Sequence, residues 1–143
     1  MKVLMDTNVV LDVLLDRRPF SYAASEVFAL IEQSKLEGIL CATTVTTLDY
    51  LLIQSLPRPV ARQTLRKLLE LFEISPVTRA VLEEALQSKM VDFEDAVLDQ
   101  AARLAGASLI VTRNQKDFKH AVSKVYGPED LLVELRPPHS LPG

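Results

Sequence analysis

Three short, uninterrupted apolar runs limit the folds open to this chain more than any other feature: KVLM at 2–5, GILCA at 38–42 and SLIVT at 108–112. A strand with one wet face alternates apolar and polar residues, so a continuous run implies a strand covered on both faces. Between the runs lie stretches with helical spacing, at 7–15, 21–36, 46–55, 60–72, 78–88 and 92–105. Weaker strand signals fall at EISPV (73–77) and SKVYG (123–127), and Pro128 opens a last helix in PEDLLVEL. Strands that alternate with helices join in parallel through crossovers. The expectation is an α/β fold, a parallel sheet with helices on both faces. Ser21 is read as the N-cap of the second helix and Gly38 as its end, Pro57 and Pro59 stop the third, and Gly106 ends the helix at 92–105. No repeat or linker divides the chain, so one domain is expected over 1–135, with the proline-rich RPPHSLPG at 136–143 as a flexible tail.

Composition removes several functions. The net charge of −3 argues against holding nucleic acid by bulk charge, so any such contact must be local. A single cysteine, Cys41, permits no internal disulfide framework and sits in an apolar run as a small hydrophobe. The glycines at 38, 106, 127 and 143 are too scattered for a phosphate-cradling loop. His120 and His139 lie apart, so histidine-centred catalysis is not expected. No apolar run approaches the roughly 20 residues that span a bilayer. The opening MKVLMD runs straight into a strand, without a signal peptide, so no membrane role and a cytoplasmic setting are expected.

In a parallel α/β sheet, ligands sit off the carboxyl ends of the strands. Asp6 follows the first strand, Asp49 follows the second, Asp95 lies early in the helix leading to SLIVT, and Asn114 and Asp117 follow SLIVT itself. Carboxylates about 4 Å apart repel by roughly 4 kcal/mol at an effective dielectric of about 20. Either their pKa values rise or a cation lies between them. Oxygen-only ligands suit Mg²⁺ or Mn²⁺, and a water on such an ion can attack a phosphodiester.

Each acid also has a structural reading. Asp6 or Asn8 can cap the helix that follows, Thr46 and Asp49 form a capping pattern, and Asp117 can be a plain loop acid. In DFEDAVLDQAA, Asp92, Asp95 and Asp99 fall within about 60° of one another, opposite Phe93, Val97, Leu98, Ala101 and Leu104. Asp92 and Asp95 fit a capping box, and Asp99 precedes Arg103 by one helical turn, as a solvated pair would. The joint placement of the acids after the strands favours a site.

Three stretches together resemble the PIN domain family: VLMDTNVVLDVLL, DFEDAVLDQAARLAGASLIVTRNQKDF, and the spacing between them. The likeness runs from Lys2 to about Leu135. It implies a three-layer α/β/α sandwich around a parallel sheet, PIN-like and thus Rossmann-like. It also implies a metal-dependent ribonuclease with Mg²⁺ or Mn²⁺ on three or four acids. Members include toxins of the virulence-associated protein C class, which implies an RNA substrate, an antitoxin protein as partner and a homodimer. By position, Asp6 matches the first family acid, Asp95 the acid of the D-A pair, with Asp92 accessory to it, and Asn114 and Asp117 the last motif. Asp6, Asp95, Asp92 and Asp117 would hold metal, with Thr7, Asn8 and Thr112 in support.

The second family acid, a glutamate in the helix after the second strand, is where the chain departs. VTTLDYLL aligns with either Asp49 or Thr47 at that place. The two positions differ by about 200° on a helix, so only one can face the site. With Thr47 there, a catalytically weakened PIN-like binding domain becomes the alternative. Arg113, Lys116, Lys119 and Lys124 lie beside the expected site and would meet RNA phosphates, whereas Arg58, Arg62 and Arg66 read more simply as surface, with Arg66 paired to Glu70. A phosphohydrolase of the haloacid dehalogenase type would need a second Asp where Asn8 stands.

Overall fold

A computed structural model describes residues 1–136. Its strands are β1 (Lys2–Met5), β2 (Glu37–Cys41), β3 (Glu73–Ser75), β4 (Leu109–Val111) and β5 (Lys124–Tyr126). Its helices are α1 (Thr7–Leu14), α2 (Phe20–Glu32), α3 (Ala42–Leu52), α4 (Arg58–Leu71), α5 (Arg79–Leu86), α6 (Phe93–Leu104) and α7 (Pro128–Leu135), with a 3-10 turn at Gln115–Phe118.

All strand pairs are parallel, in the order β3-β2-β1-β4-β5. The chain steps outward from β1 to β3, then returns to the other side of β1 for β4. That reversal opens a crevice at the carboxyl ends of β1 and β4, as expected for ligand sites in such sheets.

Strand side chains alternate between two cores, which gives the three layers. Val3, Met5, Leu40, Leu109 and Val111 face the side packed by α1, α2, α3, α4 and α7. Leu4, Ile39, Cys41 and Ile110 face the other side, packed by α5 and α6. Continued one residue past each strand, the same alternation turns Asp6 and Thr112 toward α6.

Several boundaries differ from the sequence expectations. Helix α2 begins at Phe20 with Pro19, not Ser21, at its N-cap, and stops at Glu32, where the chain turns through Ser34 at φ 60. Gly38 is therefore no terminator. It lies inside β2, where an added Cβ would meet the Phe72 ring at 2.5 Å. Helix α3 starts at Ala42, directly off β2 with Cys41 at the N-cap, and ends before either proline. Thr46 and Asp49 are thus mid-helix and cap nothing. Pro57 and Pro59 instead open α4, where a missing N–H costs no hydrogen bond. Gly106, at φ 73, does follow the end of α6. The tail expected at 136–143 lies outside the described residues beyond Arg136.

Candidate active site

The register of β1 on β4 pairs Met5 with Val111 and so brings Asp6 alongside Thr112. The Asp6 amide donates to the Val111 carbonyl at 2.9 Å, which extends the ladder to the acid itself. Asp6 is buried, and Thr112 Oγ1 donates to its carboxylate at 2.7 Å. Burial pushes the Asp6 pKa up, while the Thr112 hydroxyl and the Thr7 amide hold it down. Thr112 Oγ1 also accepts from the Asn114 amide at 3.0 Å, and Thr7 Oγ1 donates to Thr44 Oγ1 at 3.1 Å.

Helix α6 brings the second group. Asp92 caps it, accepting from the Asp95 amide at 3.0 Å. Asp95, one turn in, has its pKa raised to about 7 by desolvation, then by the charges of Asp92, Asp6, Asp117 and Glu94. Burial is the main cause of that rise, and the neighbouring carboxylates add to it.

These groups line a cavity of about 260 Å³ with Asp6, Thr7 and Asn8 from the end of β1, Asp92, Glu94 and Asp95 from α6, Asn114 and Asp117 from the segment after β4, and Thr47 and Leu51 from α3. A second cavity of about 520 Å³ shares Asp92, Asp95 and Asp117 with it and adds Lys116, Lys119 and His120. The ligand set is all oxygen, as a hard cation requires. Among the described residues, no group of three or more acidic, histidine or cysteine side chains is placed so that it could hold a metal ion. That is compatible with Mg²⁺, which binds through one or two carboxylates and keeps several waters. The residues therefore fit the ion that the resemblance implies.

Five sequence expectations are corrected by the structure. Asp49, proposed as catalytic, does not line the cavity: it is bound to Arg62 at 3.0 Å, and Thr47 faces the cavity instead. With α3 beginning at Ala42, its phase settles the choice between the two. Arg113, proposed to meet RNA, is committed elsewhere. It grips buried Asp12 with Nε at 2.6 Å and a second nitrogen at 3.2 Å, and lies 4.0 Å over the Phe20 ring. Asp99 is not solvated beside Arg103. It is 1% exposed and accepts from the Val122 and Ser123 amides at 2.9 and 3.0 Å, while Arg103 reaches Gln100. Phe93 and Leu104, placed on the buried face of that helix, are exposed, and Ala96, Ala102 and Asp99 are buried there instead. Arg66 meets Gln63 rather than Glu70.

Two groups escaped the sequence reading. Asp12 is buried between Arg17 and Arg113, and only its place on the inner face of an amphipathic α1 could have revealed it. Glu94 lines the cavity and accepts from Thr47 Oγ1 at 3.4 Å, but in sequence it is one of three acids in four residues.

A parallel sheet whose strand order reverses beside a pocket of carboxylates, drawn from a strand end, a helix and the following loop, defines a doubly wound α/β class with its ligand crevice at the reversal. The family model for the PIN domain matches residues 2–116, and the chain belongs to that family. It is similar to ribonuclease VapC1 of Aquifex aeolicus (strain VF5), 25% identical over 122 residues that cover 82% of this chain and 83% of that protein. Among solved structures it resembles DNA-bound VapBC from Salmonella typhimurium, with a TM-score of 0.71 at 16% identity, covering 90% of this chain and 98% of that one. VapBC2 from Rickettsia felis, bound to a promoter DNA fragment, matches with a TM-score of 0.69 at 15% identity, covering 89% and 98%.

Proposed function

We propose that this chain is an endoribonuclease that hydrolyses RNA phosphodiester bonds with Mg²⁺ or Mn²⁺, as the toxin of a toxin–antitoxin pair. The observation that carries the reading is the cavity at the sheet reversal, where Asp6, Asp95 and Asp117 meet without a cation among their neighbours in it. The likeness to ribonuclease VapC1 supports the substrate class, and the VapBC complexes among the structural relatives support an antitoxin partner.

Asp6 and Asp95 would hold the ion, with Asp92 and Asp117 beside them. The bound ion would polarise the phosphoryl oxygen and supply a water acidic enough to attack at neutral pH. Thr112 fixes the Asp6 carboxylate, and Asn114, tied to the same hydroxyl through its amide, is held at the cavity. Lys116 and Lys119, exposed in the adjoining cavity, would meet backbone phosphates. Arg113 stays with Asp12 and takes no part in that contact.

Incubating the protein with structured RNA in Mn²⁺, Mg²⁺ or EDTA tests the reading. Cleavage in Mn²⁺ that EDTA abolishes, and that Asp95→Asn removes, is the expected result. One observation favours a second reading: α3 presents Thr47 rather than an acid to the cavity. RNA binding without cleavage in either metal would favour that weakened, binding-only domain.

A homodimer is also proposed. The hairpin of α3 and α4 is rich in leucine, yet Leu48, Leu52, Leu65 and Leu68 are buried within the chain. Tyr50, Val60 and Leu69 remain exposed for a partner. Light scattering at tens of micromolar that returned a monomer mass would remove this part of the proposal. No helix of the described residues is long and apolar enough to cross a membrane.

A further inference from the structure

We propose that the larger cavity seats the phosphodiester next to the one that is cut, bound by Lys116, Lys119 and His120, with Asp99 as the positioning residue for that wall. The inference rests on the ribonuclease reading above and specifies what length of RNA the site takes.

The larger cavity, of about 520 Å³, has two unlike walls. Asp92 and Asp95 stand on one, at the start of α6, and Lys116, Lys119 and His120 stand on the other. Among the described residues neither lysine forms an ion pair with an acid, although three carboxylates line the same cavity. The backbone that carries the basic groups is held on both sides of them. Phe118 is buried in the core beneath α6. Beyond His120, the Val122 and Ser123 amides donate to the two oxygens of Asp99 at 2.9 and 3.0 Å. Asp99 is itself buried and follows Asp95 by one turn on the same side of α6. The helix that presents the acids therefore also holds the basic wall at its distance from them.

The smaller cavity shares Asp92, Asp95 and Asp117 with the larger one. A strand with its scissile phosphate in the smaller cavity carries a neighbouring phosphate into the larger. There two unpaired ammonium groups and an imidazole N–H can donate to it.

The plainer account is that Asp99 only satisfies two backbone amides and that the basic groups are a solvated face. On that account Asp99→Asn lowers stability and nothing else, and a phosphate added to the end of a short substrate changes nothing.

Steady-state cleavage of RNA dinucleotides by the full chain in Mn²⁺, without and with a terminal phosphate at either end, separates the two. A phosphate at one end should raise kcat/KM by about tenfold or more, the scale of a hydrogen bond to a charged group. Lys119→Gln and His120→Gln should each shrink that ratio, whereas Lys67→Gln, which removes an exposed charge on α4, should leave it unchanged. Asp99→Asn, or Asp99→Glu should the first not fold, should also shrink the ratio. Neither should have a further effect once Lys119 and His120 are both replaced, as a residue that acts through that wall requires. A ratio near one in wild-type protein that cuts longer RNA overturns the subsite. A wild-type ratio in the folded Asp99 variant overturns its positioning role. Failure to cut RNA of any length in Mn²⁺ or Mg²⁺ overturns the ribonuclease reading along with the subsite.

Discussion

The Thr112 hydroxyl donates to the Asp6 carboxylate at 2.7 Å, across 106 positions of sequence, and accepts from the Asn114 amide at 3.0 Å. One oxygen thus joins the end of β1 to the loop that carries Asn114 and Asp117. Thr112→Val keeps the shape and removes both bonds. It should cost about 1–3 kcal/mol, the penalty for leaving a buried group unpaired. Because the hydroxyl holds the Asp6 pKa down, its loss raises that pKa further, and the acidic limb of the cleavage profile should move to higher pH. A profile measured in Mn²⁺ checks this, and Thr112→Ser should restore it.

Asp95 makes a contribution to stability that weakens as pH rises from about 4 to about 7. Its folded pKa is about 7, against an ordinary 3.8, so between those values the folded chain keeps a proton that the unfolded chain has lost. The Asp95 contribution is most favourable near and below about pH 4, declines through the window up to about 7, and stays unfavourable above it. Asp95→Asn removes the penalty. Discounted for the half-exposed position, the gain is about 1 kcal/mol, roughly 3 °C in melting temperature at pH 8. It should vanish at pH 4, and Mn²⁺ should erase it at pH 8 by stabilising the wild type. Thermal melts at the two pH values decide the matter.

Asp99 should prove costly to alter. An asparagine has one acceptor oxygen, so Asp99→Asn leaves one of the Val122 and Ser123 amides facing an NH₂ group. A loss of about 1–3 kcal/mol in urea unfolding is expected, with faster hydrogen exchange at those two amides.

Arg113 and the lysines should separate cleanly. Arg113→Gln breaks the grip on buried Asp12 and should destabilise the fold by about 3 kcal/mol. It should leave the salt dependence of RNA affinity unchanged. Lys116→Gln with Lys119→Gln should do the reverse, making the slope of log affinity on log salt shallower by about 0.7 for each phosphate no longer neutralised. Equal slopes in all three proteins would remove the lysines from the RNA path.

Much of this arrangement was legible in the chain, for identifiable reasons. KVLM and SLIVT could only be buried parallel strands, and the acids directly after them had to share an edge if those strands were neighbours, as β1 and β4 are. The capping role of Asp92 was legible because a cap is a local matter. What was hidden depended on helix phase or on distant backbone. Helix α3 begins without a side-chain cap, so the sequence could not say whether Thr47 or Asp49 turned inward. Asp99 had an obvious neighbour in Arg103, but its actual partners are amides more than twenty positions away, which no periodicity exposes. Asp12 was masked in the same way by partners on both sides of it in the fold.

The reversal of strand order also sets a timetable. A β1–β4 pair closes a loop of about a hundred residues, and such long-range contacts form late and slowly. A chain still being made, with β1, β2 and β3 already outside the ribosome, would carry Asp6 but neither Thr112 to hold it nor Asp117 to stand opposite. If the cavity cleaves RNA, its chemistry is withheld while the chain lies against the largest RNA in its surroundings. Stalled nascent chains of increasing length should stay inert until β4 and the turn behind it have emerged, whereas activity in chains stalled short of Leu109 would show that the site assembles without them.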